Sequence, residues 1–407
     1  LLDTFLAPEP AARHGRESVA RELHRAVEGA NPGSARLDAL RRVKKAEELR
    51  IGLADISGQA DSADVHRALT ALAEACLEMA LDLAEEDLAA RFGRPEPAGF
   101  AIIGMGKLGG GELGYGSDLD VLFVYREDGQ TTGPARISHP EYFSKLVDRV
   151  TTILTSITQE GAAYRVDARL RPGGQKGEAA LSLGGLETYL ARQADLWERQ
   201  AYIKARPVAG DPDVAAAFVA LARRFVYDAP EPPDLAARIL AMRRRIETER
   251  VGAGRKATHV KLGSGGVLEI EFLVQYFQLR HGRTLPALRT PGTLPALATL
   301  RAAGLLPTSD VDTLEAAYRF LRRVETRLRI AADLSLNTLP SAPERLEKLA
   351  KRMGYAESFA YASAADIFRE HAALSAFEND GTRDFDIGAF SQVSEREFNA
   401  LSPFQWP

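Results

Sequence analysis

The chain has 407 residues, 27% of them charged, and a net charge of −4, so it is long enough for two or three domains with cores of their own. That balance excludes a global basic field for nucleic acid, and a single cysteine, Cys76, excludes an intramolecular disulfide framework and agrees with a reducing cytoplasm. No apolar run is long enough to span a bilayer and no signal-peptide profile is present, so a cytoplasmic location with no membrane contact is expected. The chain opens on Leu1-Leu2-Asp3 without an initiator Met, and the expectation is a piece of a longer protein.

Residues from Ala35 to Phe92 are rich in Ala, Leu, Glu and Arg and read as helices. Leu37, Leu40, Val43, Leu49 and Ile51 fall near helical spacing, with Lys44, Lys45 and Arg50 as a solvated face. Cys76 lies in an apolar helical run and is expected to pack as a small core residue. Gly93-Arg94-Pro95-Glu96-Pro97-Ala98-Gly99 breaks the helix. Phe100 to Gly104 then reads as a first strand, and Val121 to Tyr125 as a second, buried one. After a turn at Asp128-Gly129, Pro140 to Thr158 is predicted helical, closed by Gly161. Tyr164 to Pro172 alternates as a third strand, with Val166, Ala168 and Leu170 on one face and Arg165, Asp167, Arg169 and Arg171 on the other. Trp197 opens a further helix and reads as core. From Asp213 to about Tyr355 the chain is helical apart from Gly263-Ser264-Gly265-Gly266, with Pro291, Pro295, Pro307 and Pro340 as punctuation. Leu314, Tyr318, Leu321, Glu325 and Leu328 share one helical face, and Glu315, Arg319, Arg322 and Arg323 form a polar side. The fold class is therefore α+β: a small mixed β-sheet core with helices, an N-terminal helical segment and a C-terminal helical bundle.

The chemistry concentrates between the first two strands, in Gly104 to Asp120. A glycine-dense loop runs into Asp118 and Asp120, whose i, i+2 spacing at a strand start aims both carboxylates the same way. Like charges that close repel unless a cation sits between them. Oxygen ligands of this kind suit Mg²⁺, which completes its shell with water and substrate phosphate. Gly109 and Gly110 allow backbone N–H groups to approach a polyphosphate. Lys107 by charge, and Ser117 by hydroxyl or N–H, are further phosphate contacts, Ser117 being equally well explained as a turn residue. Asp167 is the third metal ligand, and three acids supply the set that two-metal nucleotidyl transfer needs. Alone, Asp167 would read as a solvated salt-bridge partner of its arginines. Arg169, Arg171 and Lys204, with Arg206, are cations for the nucleotide phosphates and the leaving group.

Gly106-Lys107-Leu108-Gly109-Gly110-x-Glu112-Leu113, Ser117-Asp118-Leu119-Asp120 and Val166-Asp167-Ala168-Arg169-Leu170-Arg171-Pro172 resemble glutamine synthetase adenylyltransferases, within the DNA polymerase β-like nucleotidyltransferase superfamily. So do Trp197 to Arg206 and Lys261 to Phe272, and the likeness runs from about Ala35 to Tyr355. The resemblance implies an enzyme that transfers AMP from ATP, with Mg²⁺, to a tyrosine of glutamine synthetase, using Asp118, Asp120 and Asp167. It also implies a whole enzyme with two related modules, of which this chain holds one, and regulation by glutamine and a PII signal protein. Residues 1–92 are then an N-terminal helical segment, 93–212 the catalytic domain, 213–360 the helical bundle and 361–407 an atypical tail foreign to the module. That tail, from Ile367 to Pro407, is faintly similar to molybdopterin-dependent nitrate reductases and is expected to be dispensable.

Three other readings stand beside this one. The sister module of the same family removes AMP by phosphorolysis, although Gly114 to Asp120 and Val166 to Arg169 look closer to the adenylylating copy. A nonenzymatic nucleotide-binding module of the same fold would be expected to lose acids, and all three are present. Gly104-x-Gly106-x-x-Gly109 matches a dinucleotide fingerprint, but the acids come too early and as a pair. The seven histidines have no metal-ligand spacing, which argues against zinc. Glu269 and Glu271 match family acids and read equally well as structural ion-pair partners.

Overall fold

The computed structural model describes residues 15–251, 259–263, 265–330 and 337–353. The chain divides into two compact units, Leu1–Ala229 and Pro230–Pro407. The expectations for the tail from residue 361 lie outside the described residues. Among the described residues no helix is long and apolar enough to cross a membrane.

Three helices open the first unit: α1 (Arg16–Glu28), α2 (Ser34–Ile56) and α3 (Ser62–Phe92). α3 starts on a capping box in which Asp61 accepts from the Asp64 N–H and Asp64 from the Asp61 N–H, which satisfies two orphan donors at once. It stops at Gly93, whose φ is +73° and whose missing Cβ would stand 2.2 Å from the Gly133 nitrogen. Leu69, Leu72, Ala73, Cys76, Leu77, Ala80 and Ala84 are all buried, so the small residues give α3 a flat face for its neighbours.

The strands are β1 (Pro95–Glu96), β2 (Phe100–Gly104), β3 (Leu119–Tyr125), β4 (Gln130–Thr131), β5 (Val166–Asp167), β6 (Leu181–Ser182) and β7 (Arg206–Gly210). β1 and β4 make a separate two-stranded ribbon. The main sheet runs β5-β3-β2-β7, with β6 also on β3. β2 is antiparallel to both β3 and β7, while β5 and β6 are parallel to opposite ends of β3. Every residue of β2 is buried, as is all of β3 except Asp120. That is the burial of a sheet covered on both faces, and it is why these two strands read as unbroken apolar runs.

Helices α4 (Gly106–Gly109), α5 (His139–Thr155), α6 (Leu183–Arg192), α7 (Leu196–Ala201) and α8 (Pro212–Arg223) complete the unit. α3 packs on α1, α5 and β7. Arg41 of α2, fully buried, reaches the C-terminal end of α5 and donates to the carbonyls of Ile153, Ser156 and Gly161.

The third strand is shorter than its alternation suggests. Pairing stops at Asp167, because the Asp167 carboxylate accepts the backbone N–H of Arg169 at 2.9 Å and turns the chain there. Arg169 and Arg171 therefore leave the sheet instead of continuing along one strand face.

The second unit holds α9 (Leu235–Arg250), α10 (Val267–His281), α11 (Thr293–Ala302), α12 (Thr308–Arg329) and α13 (Pro343–Arg352). Its interior carries charge. Arg322, expected on a polar outer face, is 1% exposed and donates to Glu325 at 2.7 Å. Glu325 in turn pairs with buried Arg329 at 2.8 Å. Two arginines around one carboxylate are tolerated inside because each loses water only in exchange for a charged partner. Glu269 pairs with buried Arg243 at 2.9 Å and accepts the Gly265 N–H at 2.7 Å, so of its two readings the structure shows the ion pair. Burial pushes the Glu269 carboxyl up to about 7, against the pull of Arg243 and the Gly265 N–H. A carboxyl raised in the folded state keeps its proton after the unfolded chain has lost its own, so stability falls as pH rises across that window. We expect the second unit to lose stability between the ordinary carboxylate range and about pH 7, and Glu269→Gln to flatten that slope in urea titrations at several pH values. An unchanged slope in the variant would remove Glu269 as its source.

Candidate active site

The N-terminal end of β3 meets β5 at the acids. Asp118 directly precedes β3, and Asp120 is its second residue. Parallel pairing puts Leu119 opposite Val166 and Asp120 opposite Asp167, with the Leu119 N–H donating to the Arg165 carbonyl at 2.9 Å. Residues in register on adjacent strands share a face, so Asp120 and Asp167 point the same way. Gly106, with φ of +50°, lies beneath Asp120: a Cβ there would stand 2.7 Å from Asp120 Oδ2. This glycine is required by the approach of a carboxylate as well as by its own backbone.

An open cavity of about 350 Å³ is lined by Asp118, Asp167, Arg165, Arg169 and Arg171, with Val166 and Ala168. Arg165 Nε donates to Asp118 Oδ1 at 2.6 Å. Arg169 Nε reaches both oxygens of Asp167 at 2.9 Å, and its Nη2 also donates to Oδ2. The hydrogen bond from Arg169 holds the Asp167 carboxyl below its ordinary range, with burial opposing. Arg169 itself is raised, first by Asp167 and to a lesser degree by Asp120 and Asp118. One guanidinium thus sits in the field of all three acids. Arg171 donates from Nε to the Gly174 carbonyl at 2.9 Å.

Hard carboxylate oxygens suit a divalent cation by chemistry. Among the described residues, however, no three His, Cys, Asp or Glu side chains are gathered closely enough to hold a metal ion. Arg165 and Arg169 engage Asp118 and Asp167 instead, so the fit to a cation rests on the chemistry of the carboxylate donors and on oxygens that a nucleotide would add.

The remaining expected site residues fall around the glycine loop, outside the residues that line this cavity. Gly109 is buried, and a Cβ on it would stand 1.8 Å from the Lys204 carbonyl oxygen. The N–H groups of Gly109 and Gly110 are engaged by the carbonyls of Met105 and Gly106. Both glycines serve the close packing of α4. Lys107 is half-buried on α4, and Ser117 is half-buried beside Asp118, in a turn where its N–H donates to the Gly114 carbonyl at 3.3 Å. Lys204 is 6% exposed and pairs with Glu112 at 2.8 Å. Arg206 donates to the carbonyls of Gly109 and Leu108, at 3.0 and 3.1 Å, and to Glu74. These two cations grip the loop from its protein side, and Thr70 adds a hydrogen bond from the Leu113 N–H at 3.1 Å.

Trp197, expected in the core, is 41% exposed. The short helix α7 turns Glu198, Arg199 and Gln200 inward instead. Those polar groups find partners: Glu198 accepts from Tyr189 at 2.8 Å, and Arg199 donates to the carbonyls of Val226 and Ala229. The residue that sequence reasoning undervalued is Arg165, two positions before Asp167 and now on Asp118.

Comparison with known proteins gives two family matches. The model for glutamate–ammonia ligase adenylyltransferase matches residues 1–221, and that for PII-uridylyltransferase matches residues 234–377. The chain is 40% identical over 335 residues to the bifunctional glutamine synthetase adenylyltransferase/adenylyl-removing enzyme of Bordetella pertussis, covering 78% of this chain and 36% of that protein. The protein of the same name from Chromobacterium violaceum is 40% identical over 340 residues, covering 81% and 37%. That from Nitrosococcus oceani is 39% identical over 337 residues, covering 81% and 35%. The chain thus spans about a third of the length of these relatives. With a family model matched over more than half of its residues, from the helical N-terminus through the three acids and β7, the chain belongs to the glutamate–ammonia ligase adenylyltransferase family.

Proposed function

We propose that the first unit transfers AMP from MgATP to a tyrosine of glutamine synthetase, with Asp118, Asp120 and Asp167 as the acids of the site. The observation that carries this reading is the register of Asp120 against Asp167, with Gly106 packed against the Asp120 carboxylate. The names of the relatives supply the acceptor. The three acids would hold Mg²⁺, which when bound supplies Lewis-acid stabilisation of the α-phosphate and the leaving pyrophosphate. The chain's own residues do the rest by position and charge. Arg165, Arg169 and Arg171 line the cavity where phosphate oxygens would lie. The Lys204–Glu112 pair and Arg206 fix the glycine loop against the sheet, which keeps Gly106 under Asp120.

A second reading is removal of AMP by phosphorolysis. The relatives' names carry both activities. The match of residues 234–377 to a PII-uridylyltransferase model supports a PII signal protein as a regulator in either case. One incubation separates the readings. With α-labelled ATP, Mg²⁺ and glutamine synthetase, adenylylation puts label on the acceptor and releases pyrophosphate. Orthophosphate-dependent ADP release from adenylylated glutamine synthetase, without forward transfer, gives the second reading. Neither product would overturn both.

A further inference from the structure

We propose that Arg165 and Arg169 are resident counter-ions of the acidic site: they hold Asp118 and Asp167 while no metal is bound, compete with the divalent cation for them, and pass to the nucleotide phosphates once it enters. The proposal rests on the nucleotidyl-transfer reading and deepens it.

Geometry comes first. Each arginine occupies one acid directly, Arg165 on Asp118 at 2.6 Å and Arg169 on both oxygens of Asp167 at 2.9 Å. Their side chains are 63% and 69% exposed, and Arg169 follows the turn at which β5 ends. Both arms can therefore swing without moving packed groups. Lys204 cannot, because its ammonium is buried on Glu112.

Charge points the same way. Asp120 and Asp167, in register on neighbouring strands, repel one another as like charges. Arg165 and Arg169 remove that repulsion, but a divalent cation added on top of them would meet two positive charges already on its ligands. A metal-bound triphosphate carries roughly −2 after the cation has offset about half of its charge. Two displaced guanidiniums carry the matching positive charge and already line the same cavity. The Arg165–Asp118 pair is exposed on both sides and Arg169 is the exposed partner of Asp167; such pairs are weak enough for a cation to displace, and the guanidinium fork is suited to phosphate.

The test is Mn²⁺ titration of the full 407-residue chain without nucleotide, followed by electron paramagnetic resonance and, separately, by thermal unfolding. Arg165→Gln and Arg169→Gln should each bind Mn²⁺ about two- to fivefold more tightly, the range set by losing one exposed ion pair. Arg169→Lys keeps the charge but loses the two-pronged grip, and it should tighten binding as well. Metal-free Tm should fall in the Gln variants, and the Mn²⁺-induced rise should grow. Unchanged or weaker Mn²⁺ affinity in both Gln variants overturns the proposal. So does tightening in the Gln variants with Arg169→Lys at the wild-type value, because that is a field effect without displacement. Mn²⁺ binding with no difference among variants sinks this inference alone. Mn²⁺ binding that in every form occurs only with ATP present sinks this inference alone; no Mn²⁺ binding even with ATP sinks the nucleotidyl-transfer reading with it.

Discussion

Replacing Arg41 by Met is expected to cost the first unit ~3–4 kcal/mol, among the larger effects for a single side chain, because it breaks a buried hydrogen-bond network. Arg41 is fully buried. It donates to the carbonyls of Gly161 at 2.6 Å, Leu37 at 2.9 Å, Ile153 at 2.9 Å and Ser156 at 2.6 Å, and to the Ser156 hydroxyl at 3.2 Å. Two of those carbonyls close the C-terminal end of α5, where the helix leaves acceptors without intrahelical donors and the dipole favours a cation. The Gly161 carbonyl belongs to the turn that carries the chain on to Asp167. Met fills similar volume and donates to none of these acceptors; the Gly161 carbonyl keeps the Thr158 N–H at 3.1 Å, so the loss falls chiefly on the carbonyls at the end of α5. For a unit of this size the loss is a fall in Tm of roughly 6–16 °C. Arg41→Lys keeps a charge but cannot reach all the acceptors, and should recover less than half. Circular dichroism melts of the three proteins check this; a Met variant within about 1 kcal/mol of wild type, the ordinary effect of a point mutation, would show that the network contributes little.

The elements that sequence patterning revealed are those whose burial is uniform. Phe100 to Gly104 and Val121 to Tyr125 are apolar throughout because helices cover both faces of the sheet. The helix after the Asp128-Gly129 turn is legible because Tyr142, Phe143, Leu146, Val147 and Val150 recur with its period. Where side chains rewrite the local rule, the pattern misleads. Tyr164 to Pro172 alternates as a strand should, yet the Asp167 carboxylate captures the Arg169 N–H and ends it after two paired residues. Arg322 counts as polar on any helical face, but Glu325 and Arg329 make an ionic interior for it that periodicity does not encode.

The same division holds at the site. Asp118 and Asp120 stand out in the sequence by spacing alone; the structure has Asp120 inside β3 and Asp118 just before it, with Asp118 on the cavity. Lys204 was read as a phosphate contact because sequence shows a cation and hides its partner; Glu112, ninety-two positions away, is supplied by the fold. Gly109 looked like a backbone surface for phosphate, and the carbonyl of Lys204 lies against it. In both cases a long-range contact that the sequence does not display fixes how the residue packs.

Asp118→Asn, Asp120→Asn and Asp167→Asn should each leave the protein folded and slow turnover by roughly two to three orders of magnitude, a loss of ~3–4 kcal/mol in transition-state stabilisation. Folding is spared because the change is nearly isosteric and Asp118 is bound chiefly by an exposed arginine, a contact of small worth. Asp167 is the most structural of the three, since it also accepts the Arg169 N–H; the amide oxygen of Asn can replace that acceptor. Activity responds differently because each amide removes a negative charge and a strong oxygen ligand from the place where developing charge must be offset. The Asp118→Asn, Asp120→Asn double variant should be little worse than the poorer single one, because the acids act as a unit. The most direct measurement is turnover of Asp120→Asn at saturating Mg²⁺ and ATP, on protein whose melt matches wild type. A drop of about two orders of magnitude or more is the predicted result; near-normal turnover would contradict the assignment of the three acids.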